Sequence, residues 1–299
     1  MARRVYAASP VLAKLSSQKV KLPVFSIIFL SILLCGSGIC ATIALSNKHE
    51  NVQIIQMWDG VRDNAEIPVY ANDDGPHSGH DGQMSAAEGY VAPETPVRDT
   101  DPMHRQFDWS YLQTANSDTA CWLYIPDTTI DYPVMQEPTV REYFYLRHDF
   151  DKKYLKSGCL FIPKEPEGFT GTDSRLLIFG HNMPDEDIMF HSLLNYKDEE
   201  FYLAHPYIYV YYPDRVEKWQ VWAALGVQNS DDLYDLPLEA NTQKYDNLLT
   251  RLDTNKKYNA ADKPDCNDNI LTLSTCDRTN GGADGRFVVN AVLVETEKR

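Results

Sequence analysis

The sequence predicts a mainly β domain, either a barrel or a sandwich, with an N-terminal helix and helical insertions, preceded by one transmembrane helix. Seven or eight apolar runs of strand length lie in the C-terminal part of the chain, and most follow one another without a helical segment between them. Such an order favours antiparallel pairing over a doubly wound α/β sheet. The transmembrane helix is predicted from an uncharged apolar run near the N-terminus, Leu22–Leu45.

The run Leu22–Leu45 is long enough to cross the roughly 30 Å hydrocarbon core of a bilayer as a helix. It is preceded by the basic residues Arg3, Arg4, Lys14, Lys19 and Lys21. The positive-inside rule then predicts that residues 1–21 are cytoplasmic, and that a single pass through the cell membrane places everything from residue 46 outside the cell. A cleaved signal peptide is the alternative, but its apolar region should be about 7–15 residues long.

Residues 46–102 are rich in Asp, Gly, Pro and Ser and are predicted to form a flexible acidic stalk. We interpret His77 and His80 in this segment as polar filler rather than as a metal site, and the acidic run Asp231–Glu239 as a solvated loop rather than as a Ca²⁺ site. No cofactor or metal is therefore predicted. The formal net charge of −15 argues against nucleic acid as a partner.

The folded domain is predicted from Met103 to Arg299. Its first helix is indicated by apolar residues spaced on one helical face between Phe107 and Leu112. The strand-like runs follow in the order Cys121–Gln136, Gly158–Pro163, Arg175–Met183, Tyr207–Gln228, Asn269–Cys276 and Gly285–Glu297. The first and fourth of these contain Pro-Asp turns and are predicted as strand pairs. Helical periodicity marks the segments Asp187–Pro206 and Leu238–Leu252.

Cys276 lies at the end of a predicted strand, and alternation places it on one face with Thr272 and Ser274. These small hydroxyl side chains leave room for a ligand. The competing interpretation is a buried structural thiol, which is the commonest fate of a free cysteine. Arg286 begins the next strand, so pairing of the two strands would bring it near Cys276. There it would favour the thiolate and donate hydrogen bonds to an oxyanion.

His181 follows the predicted buried strand Arg175–Phe179, where a side chain is presented at a strand end. A histidine beside a cysteine can take the thiol proton and return it to a leaving amine. Cysteine, histidine and a fixed cation together suit acyl transfer at an amide. A Cys121–Cys159 disulfide is left open, although free buried thiols are the preferred interpretation.

The motif "TLSTC" at Thr272–Cys276, an arginine ten residues later in "GRFVV", and "LIFGHNM" at Leu177–Met183 together resemble the sortases of class B. The resemblance implies an eight-stranded barrel and a membrane-anchored cysteine transpeptidase. Such an enzyme cleaves a Thr-X bond in the C-terminal sorting signal of a secreted protein, forms a thioester, and transfers the acyl group to an amine of a peptidoglycan precursor.

The resemblance implies that Cys276 is the nucleophile, His181 the general acid and base, and Arg286 the stabiliser of the oxyanion and substrate. It also implies that Ser274 and Thr275 line the substrate groove and that Tyr234 contacts the sorting signal. One departure concerns Asp277, which directly follows the nucleophile, whereas some class B sortases carry an acidic residue one position later. The sequence predicts no role for this carboxylate.

Three other functions are compatible with parts of the sequence. A sortase that polymerises pilin, with a pilin lysine as the acceptor, fits the same residues, so the acceptor amine stays open. A papain-type hydrolase is disfavoured because His181 precedes Cys276, the reverse of the order in those enzymes. A non-catalytic binding module tethered to the membrane is disfavoured because Cys276, His181 and Arg286 are all present.

Overall fold

The computed structural model describes residues 51–69, 99–137, 143–163, 174–235, 239–258, 261–279 and 281–299. The chain divides into two compact units, 1–54 and 55–299, and only residues 51–54 of the first are described. The predicted transmembrane helix Leu22–Leu45 lies outside the described residues, as do His77 and His80. Within the described ranges, no helix has both the length and the apolar character needed to cross a bilayer.

The unit 55–299 is built on a closed barrel of eight strands. Two short strand pairs accompany it, and all strands are numbered here in chain order. They are β1 (Glu66–Ile67), β2 (Gln106–Phe107), β3 (Thr119–Tyr124), β4 (Asp131–Met135), β5 (Leu160–Phe161), β6 (Arg175–Phe179), β7 (Asn182–Met183), β8 (Ile188–Met189), β9 (Tyr207–Tyr211), β10 (Arg215–Gln228), β11 (Ile270–Cys276) and β12 (Gly285–Lys298). The order around the barrel is β10-β12-β11-β6-β5-β4-β3-β9, while β1 pairs with β2 and β7 with β8.

Four α-helices accompany the strands in the described part of the chain: α1 (residues 51–65), α2 (Trp109–Ala115), α3 (Glu199–Ala204) and α4 (Gln243–Asn255). Helix α2 begins where the Asp108 side chain accepts a hydrogen bond from the Tyr111 amide at 2.8 Å. This bond satisfies one of the amides that a helix start leaves unpaired. Helix α4 buries one face against Trp222 and Leu225 of β10, and the buried residues are Tyr245, Leu248, Leu249 and Leu252.

The structure confirms the predicted mainly β fold and the eight-stranded barrel with helical insertions. Two of the pairings, β4 with β5 and β6 with β11, are parallel. Parallel neighbours require long crossover connections, and the β6–β11 connection contains α3 and α4. The segment 187–206, predicted as helical, is instead divided into β8, a 3-10 helix at Ser192–Lys197 and α3. Strand β8 forms there because it pairs with β7.

Packed structure also extends N-terminal to the domain start predicted at Met103. Trp58 of α1 is 3% exposed, and its ring meets the Tyr132 ring edge-on at 5.5 Å between centroids. Strand β1 follows α1 directly and pairs with β2. The helix and β1 lie inside the segment predicted as a stalk, so residues 55–67 pack as part of the barrel unit. The few apolar residues at the start of this polar segment do not by themselves predict that packing.

Candidate active site

Strand β11 brings the predicted nucleophile and the predicted cation to one end of the barrel. Its antiparallel register with β12 places Cys276 opposite Arg286. Its parallel register with β6 places Ser274 opposite Phe179, two residues before His181. The ends of three neighbouring strands therefore supply the backbone positions of the predicted catalytic residues.

Two hydrogen bonds join the end of β11 to Gly180, the residue before His181. The Gly180 amide donates to the Ser274 carbonyl at 3.1 Å, and the Thr275 hydroxyl donates to the Gly180 carbonyl at 2.9 Å. A side chain at Gly180 would not fit, because a Cβ atom there would lie 2.5 Å from side-chain carbons of Leu160 and Phe190. The glycine therefore lets the segment before His181 pass between Leu160 and Phe190 while it bonds to β11.

Asn182, on the other side of His181, forms a third link to β11. Its Nδ2 donates to the Cys276 carbonyl at 3.0 Å, and its Oδ1 lies 2.7 Å from His191 Nδ1. A carbonyl oxygen only accepts hydrogen bonds, so the amide nitrogen must face Cys276 and His191 must carry a proton on Nδ1. Asn182 lies in the recognised "GHNM" motif, yet its role depends on a partner 94 residues away and was missed in the sequence.

His181 is held by a hydrogen bond from its Nε2 to the Leu146 carbonyl at 2.9 Å. Because the carbonyl only accepts, the neutral ring carries its proton on Nε2 and leaves the Nδ1 lone pair available. Burial lowers the pKa of His181, the Leu146 hydrogen bond opposes that effect, and the positive charges of Arg147 and Lys156 add to it. The lowered pKa favours the neutral imidazole, which is the form that can accept a proton.

Cys276 differs from the two cysteines of the barrel core. All four described cysteines are free thiols, so no Cys121–Cys159 disulfide is formed. Cys121 and Cys159 are completely buried, and burial raises the pKa of both thiols. Cys276 and Cys266 are partly exposed. Accessibility to a substrate thus separates Cys276 from the buried pair, and its position on β11 separates it from Cys266.

Arg286 is fixed by the connection that precedes it. Its Nη1 donates to the Ala283 carbonyl at 3.1 Å and to the Gly285 carbonyl at 2.9 Å. Among the described residues, its Nε and Nη2 have no hydrogen-bond partner, and no hydrogen bond joins the Cys276 thiol to Arg286 or His181. The structure therefore brings the three residues to one strand end and leaves guanidinium donors available to a ligand.

Tyr234 lies beside this strand end. Its hydroxyl is 2.8 Å from the Ser274 hydroxyl, and its ring stacks on Phe179 at 5.6 Å between centroids. Burial raises the pKa of Tyr234 to about 12, against the opposing effects of the Ser274 hydrogen bond and the Arg286 charge. Ser274 and Thr275 are 0% and 2% exposed, so their hydroxyls bond within the protein and do not face solvent.

Asp277, for which the sequence predicts no role, closes the connection between β11 and β12. The residue is 2% exposed, and its carboxylate pairs with Lys197 at 2.7 Å and accepts hydrogen bonds from the Thr279 amide and hydroxyl. Burial alone would raise the pKa of Asp277, but the bonds from Lys197 and Thr279 together lower it. Asp277 is thus a charged structural support directly after Cys276.

Two carboxylates of the acidic run Asp231–Glu239 bind an arginine of the protein. Asp231 accepts hydrogen bonds from both terminal nitrogens of Arg251, at 3.0 and 2.6 Å, and Asp232 accepts one at 2.7 Å. Within the described residues, no group of three or more His, Cys, Asp or Glu side chains is arranged to hold a metal ion. The Asp231 carboxylate binds a guanidinium and ties the segment after β10 to α4.

The sequence and the fold of this chain are both similar to those of known proteins. A family model described as the sortase domain matches residues 123–294. Sortase B of Listeria monocytogenes is 31% identical over 61% of this chain and 72% of its own length. The solved structure of sortase B from Clostridium perfringens is similar with a TM-score of 0.56 and 27% identity, covering 63% of this chain and 100% of that one. A sortase B–substrate complex from Staphylococcus aureus gives a TM-score of 0.55 and 26% identity, with coverages of 62% and 84%.

Proposed function

Because this chain belongs to the sortase family, with class B sortases as its relatives, and is a cysteine transpeptidase, we propose that Cys276 is its nucleophile. The observation that carries the proposal is the position of this thiol. The thiol is partly exposed at the end of β11, and Cys276 lies opposite Arg286. The Cys276 carbonyl accepts a hydrogen bond from Asn182, the residue after His181. The buried thiols of Cys121 and Cys159 have no such access.

In the proposed reaction, His181 accepts the Cys276 proton at Nδ1, and the thiolate attacks the carbonyl carbon of the scissile amide. The oxyanion of the tetrahedral intermediate accepts hydrogen bonds from the available nitrogens of Arg286. His181 then returns the proton to the leaving amine, and a thioester remains on Cys276. An acceptor amine attacks the thioester carbon, and His181 takes a proton from that amine. The C–S bond then breaks, the new amide leaves, and His181 returns the proton to the Cys276 thiolate.

We propose that the substrate is the C-terminal sorting signal of a secreted protein, cleaved at a Thr-X bond. The similar sortase B of Staphylococcus aureus has been solved as a substrate complex, which supports substrate binding by this chain. Tyr234 supplies the groove wall, with Ser274 holding its hydroxyl and Thr275 holding the main chain before His181. The proposed acceptor is an amine of a peptidoglycan precursor.

We also propose that Leu22–Leu45 anchors the chain in the cell membrane with the barrel outside. The length and lack of charge of this run support the anchor, and the basic residues before it support the orientation. Protease added to intact cells should degrade the barrel and spare residues 1–21. A barrel protected until the cells are lysed would contradict the orientation.

The proposal is tested with the full-length chain in detergent, a library of sorting-signal peptides and an added amine. The wild-type protein should give an amine-linked product, and Cys276→Ala should give none, while Cys266→Ala, which removes the other partly exposed thiol, should keep the activity. Retention of turnover by Cys276→Ala would refute the assignment. Supplying either a peptidoglycan-type amine or a lysine peptide distinguishes wall attachment from pilin polymerisation.

Arg286→Lys is the companion variant. A lysine cannot reproduce the planar set of donors of a guanidinium, so most turnover should be lost although the charge is kept. A wild-type rate for this variant would restrict Arg286 to a structural role.

A further inference from the structure

We propose that Lys197 is a positioning residue for Arg286, which it reaches through Asp277 and the connection between β11 and β12. The inference rests on the proposed role of Arg286 as the oxyanion donor. Lys197 is the last residue of the 3-10 helix Ser192–Lys197, which lies between β8 and α3. It belongs to none of the motifs that identify the catalytic residues.

The Lys197 ammonium contacts both sides of the β11–β12 connection. Its Nζ lies 2.7 Å from Asp277 Oδ2 and donates to the Thr279 hydroxyl at 3.2 Å. The same nitrogen lies 5.6 Å from the centroid of the Phe287 ring, on the strand that starts with Gly285 and Arg286. The side chain of Lys197 is 33% exposed, whereas that of Asp277 is 3% exposed.

A continuous series of bonds leads from Asp277 to the guanidinium. The Asp277 carboxylate accepts from the Thr279 amide and hydroxyl at 3.2 and 2.6 Å, which folds the start of the connection. The Asp277 amide donates to the Gly285 carbonyl at 3.0 Å. That carbonyl also accepts from Arg286 Nη1 at 2.9 Å. One carbonyl oxygen therefore joins the residue after the nucleophile to the proposed oxyanion donor.

The charge of Lys197 is what keeps this arrangement in place. A buried carboxylate is costly unless it is paired, and Lys197 is the cation paired with Asp277 among the described residues. Without it, the carboxylate must take up a proton or turn toward water, and either change loosens the connection that holds Arg286. Oxyanion donors stabilise a transition state only when they are preorganised. The loss should therefore appear in catalysis as well as in the local structure.

The first test compares Lys197→Met with Lys218→Met. Lys218 is a matched control because it is 25% exposed, lies 3.8 Å from Glu295 and 4.5 Å from the Tyr207 ring centroid, and sits at the far end of the β10–β12 pairing from Arg286. Lys197→Met should lower kcat/KM by about tenfold or more, since small misplacements of catalytic groups cost this much. Lys218→Met should stay within about twofold, as expected for a partly exposed pair.

The second test asks whether Lys197 acts through Arg286. Acyl-enzyme formation is followed over hours, so that slow variants still give a rate. Lys197→Met in the Arg286→Lys background should cause no further loss, because both changes impair the same interaction. The inference would be overturned if the rate of the double variant fell by the product of the two single losses, or if Lys197→Met or Arg286→Lys alone kept the wild-type rate.

Folding is checked separately by thermal unfolding of each variant. The double variant Lys197→Met/Asp277→Asn removes both charges and should recover the stability that Lys197→Met alone loses. Its activity should stay low, because the Lys197–Asp277 ion pair that holds the β11–β12 connection is still missing. Recovery of full activity would also overturn the inference. Cys276→Ala in the same assay separates this inference from the proposed function. An inactive Cys276→Ala beside a fully active Lys197→Met would reject only the role of Lys197.

Discussion

Two carboxylates of this barrel, the buried Asp277 and the largely buried Asp131, are each paired with a cation but support different parts of the molecule. Asp277 pairs with Lys197 and fixes the connection that leads to Arg286. Asp131, at the start of β4, accepts hydrogen bonds from Arg105 at 2.8 and 2.9 Å and from the Trp122 indole at 2.7 Å. The first cluster supports a site residue, whereas the second lies away from the ends of β6 and β11.

The Asp131 cluster joins the N-terminal segments to the barrel. Arg105 also donates to Glu66 of β1 at 3.0 Å, and Arg62 of α1 lies 3.6 Å from the Asp131 carboxylate. Burial of an ion pair is a poor source of net stability, but loss of one partner is costly because a buried charge remains. The comparison therefore predicts that disruption of the Asp131 cluster affects folding, and that disruption of the Asp277 cluster affects turnover.

The largest effect on stability is expected for Arg105→Met. It removes the cation that Asp131 and Glu66 share, while Arg62 and Trp122 still contact Asp131, so the free energy of unfolding should fall by about 3 kcal/mol, the lower end for a broken buried pair. Denaturant unfolding measures this loss, and kcat/KM per folded molecule should stay at the wild-type value. A fall in activity that exceeds the fall in folded protein would show that the two clusters are not separate.

Asn182→Ala should lower both the free energy of unfolding and turnover, each by an intermediate amount. It removes the partner of the Cys276 carbonyl and of His191 Nδ1, which should cost about 1–3 kcal/mol. Turnover should fall by about tenfold, because Cys276 and the His181 segment lose a direct link. The exposed Asn267, which bonds only to its neighbour Asp265 among the described residues, gives a control in Asn267→Ala. Equal turnover in the two variants would contradict the role of Asn182.

The smallest expected effect is the titration of His181. Its pKa lies below the ordinary 6.5 of histidine, so the folded ring should stay neutral at pH values where the unfolded ring is already protonated. His181 therefore makes no contribution above pH 6.5 and lowers stability as the pH falls below it. NMR titration of the ring proton signals, assigned with His181→Gln, should give a midpoint below 6.5. A midpoint at or above that value would mean that burial does not control the ring.

Local patterns in the sequence predicted the surroundings of Cys276 and helix α4, although the helical pattern over 187–206 was wrong. Strand alternation and the short connection after Cys276 predicted its juxtaposition with Arg286, and the register of β11 and β12 confirms it. The spacing of apolar residues likewise predicted α4. These predictions succeeded because a strand has a fixed two-residue period and a hairpin-like connection restricts its partners.

The remaining features depend on contacts between distant segments. The parallel pairing of β6 with β11 follows from a long crossover, which no local pattern encodes. Lys197 lies 82 residues from Thr279, and Asn182 lies 94 residues from Cys276. The hydroxyls of Ser274 and Thr275 illustrate the same limit, because alternation predicted their faces and only packing determined that both are bonded internally.

The central claim is that Cys276 is the nucleophile of this strand-end site. The most direct measurement is mass spectrometry of peptides from the full-length protein, quenched in acid after mixing with sorting-signal peptides in the absence of an acceptor amine. The predicted result is an acyl group in thioester linkage on the peptide that contains Cys276, released when an amine is added. An acyl group on Cys266, or none on any cysteine while the substrate is still cleaved, would contradict the account.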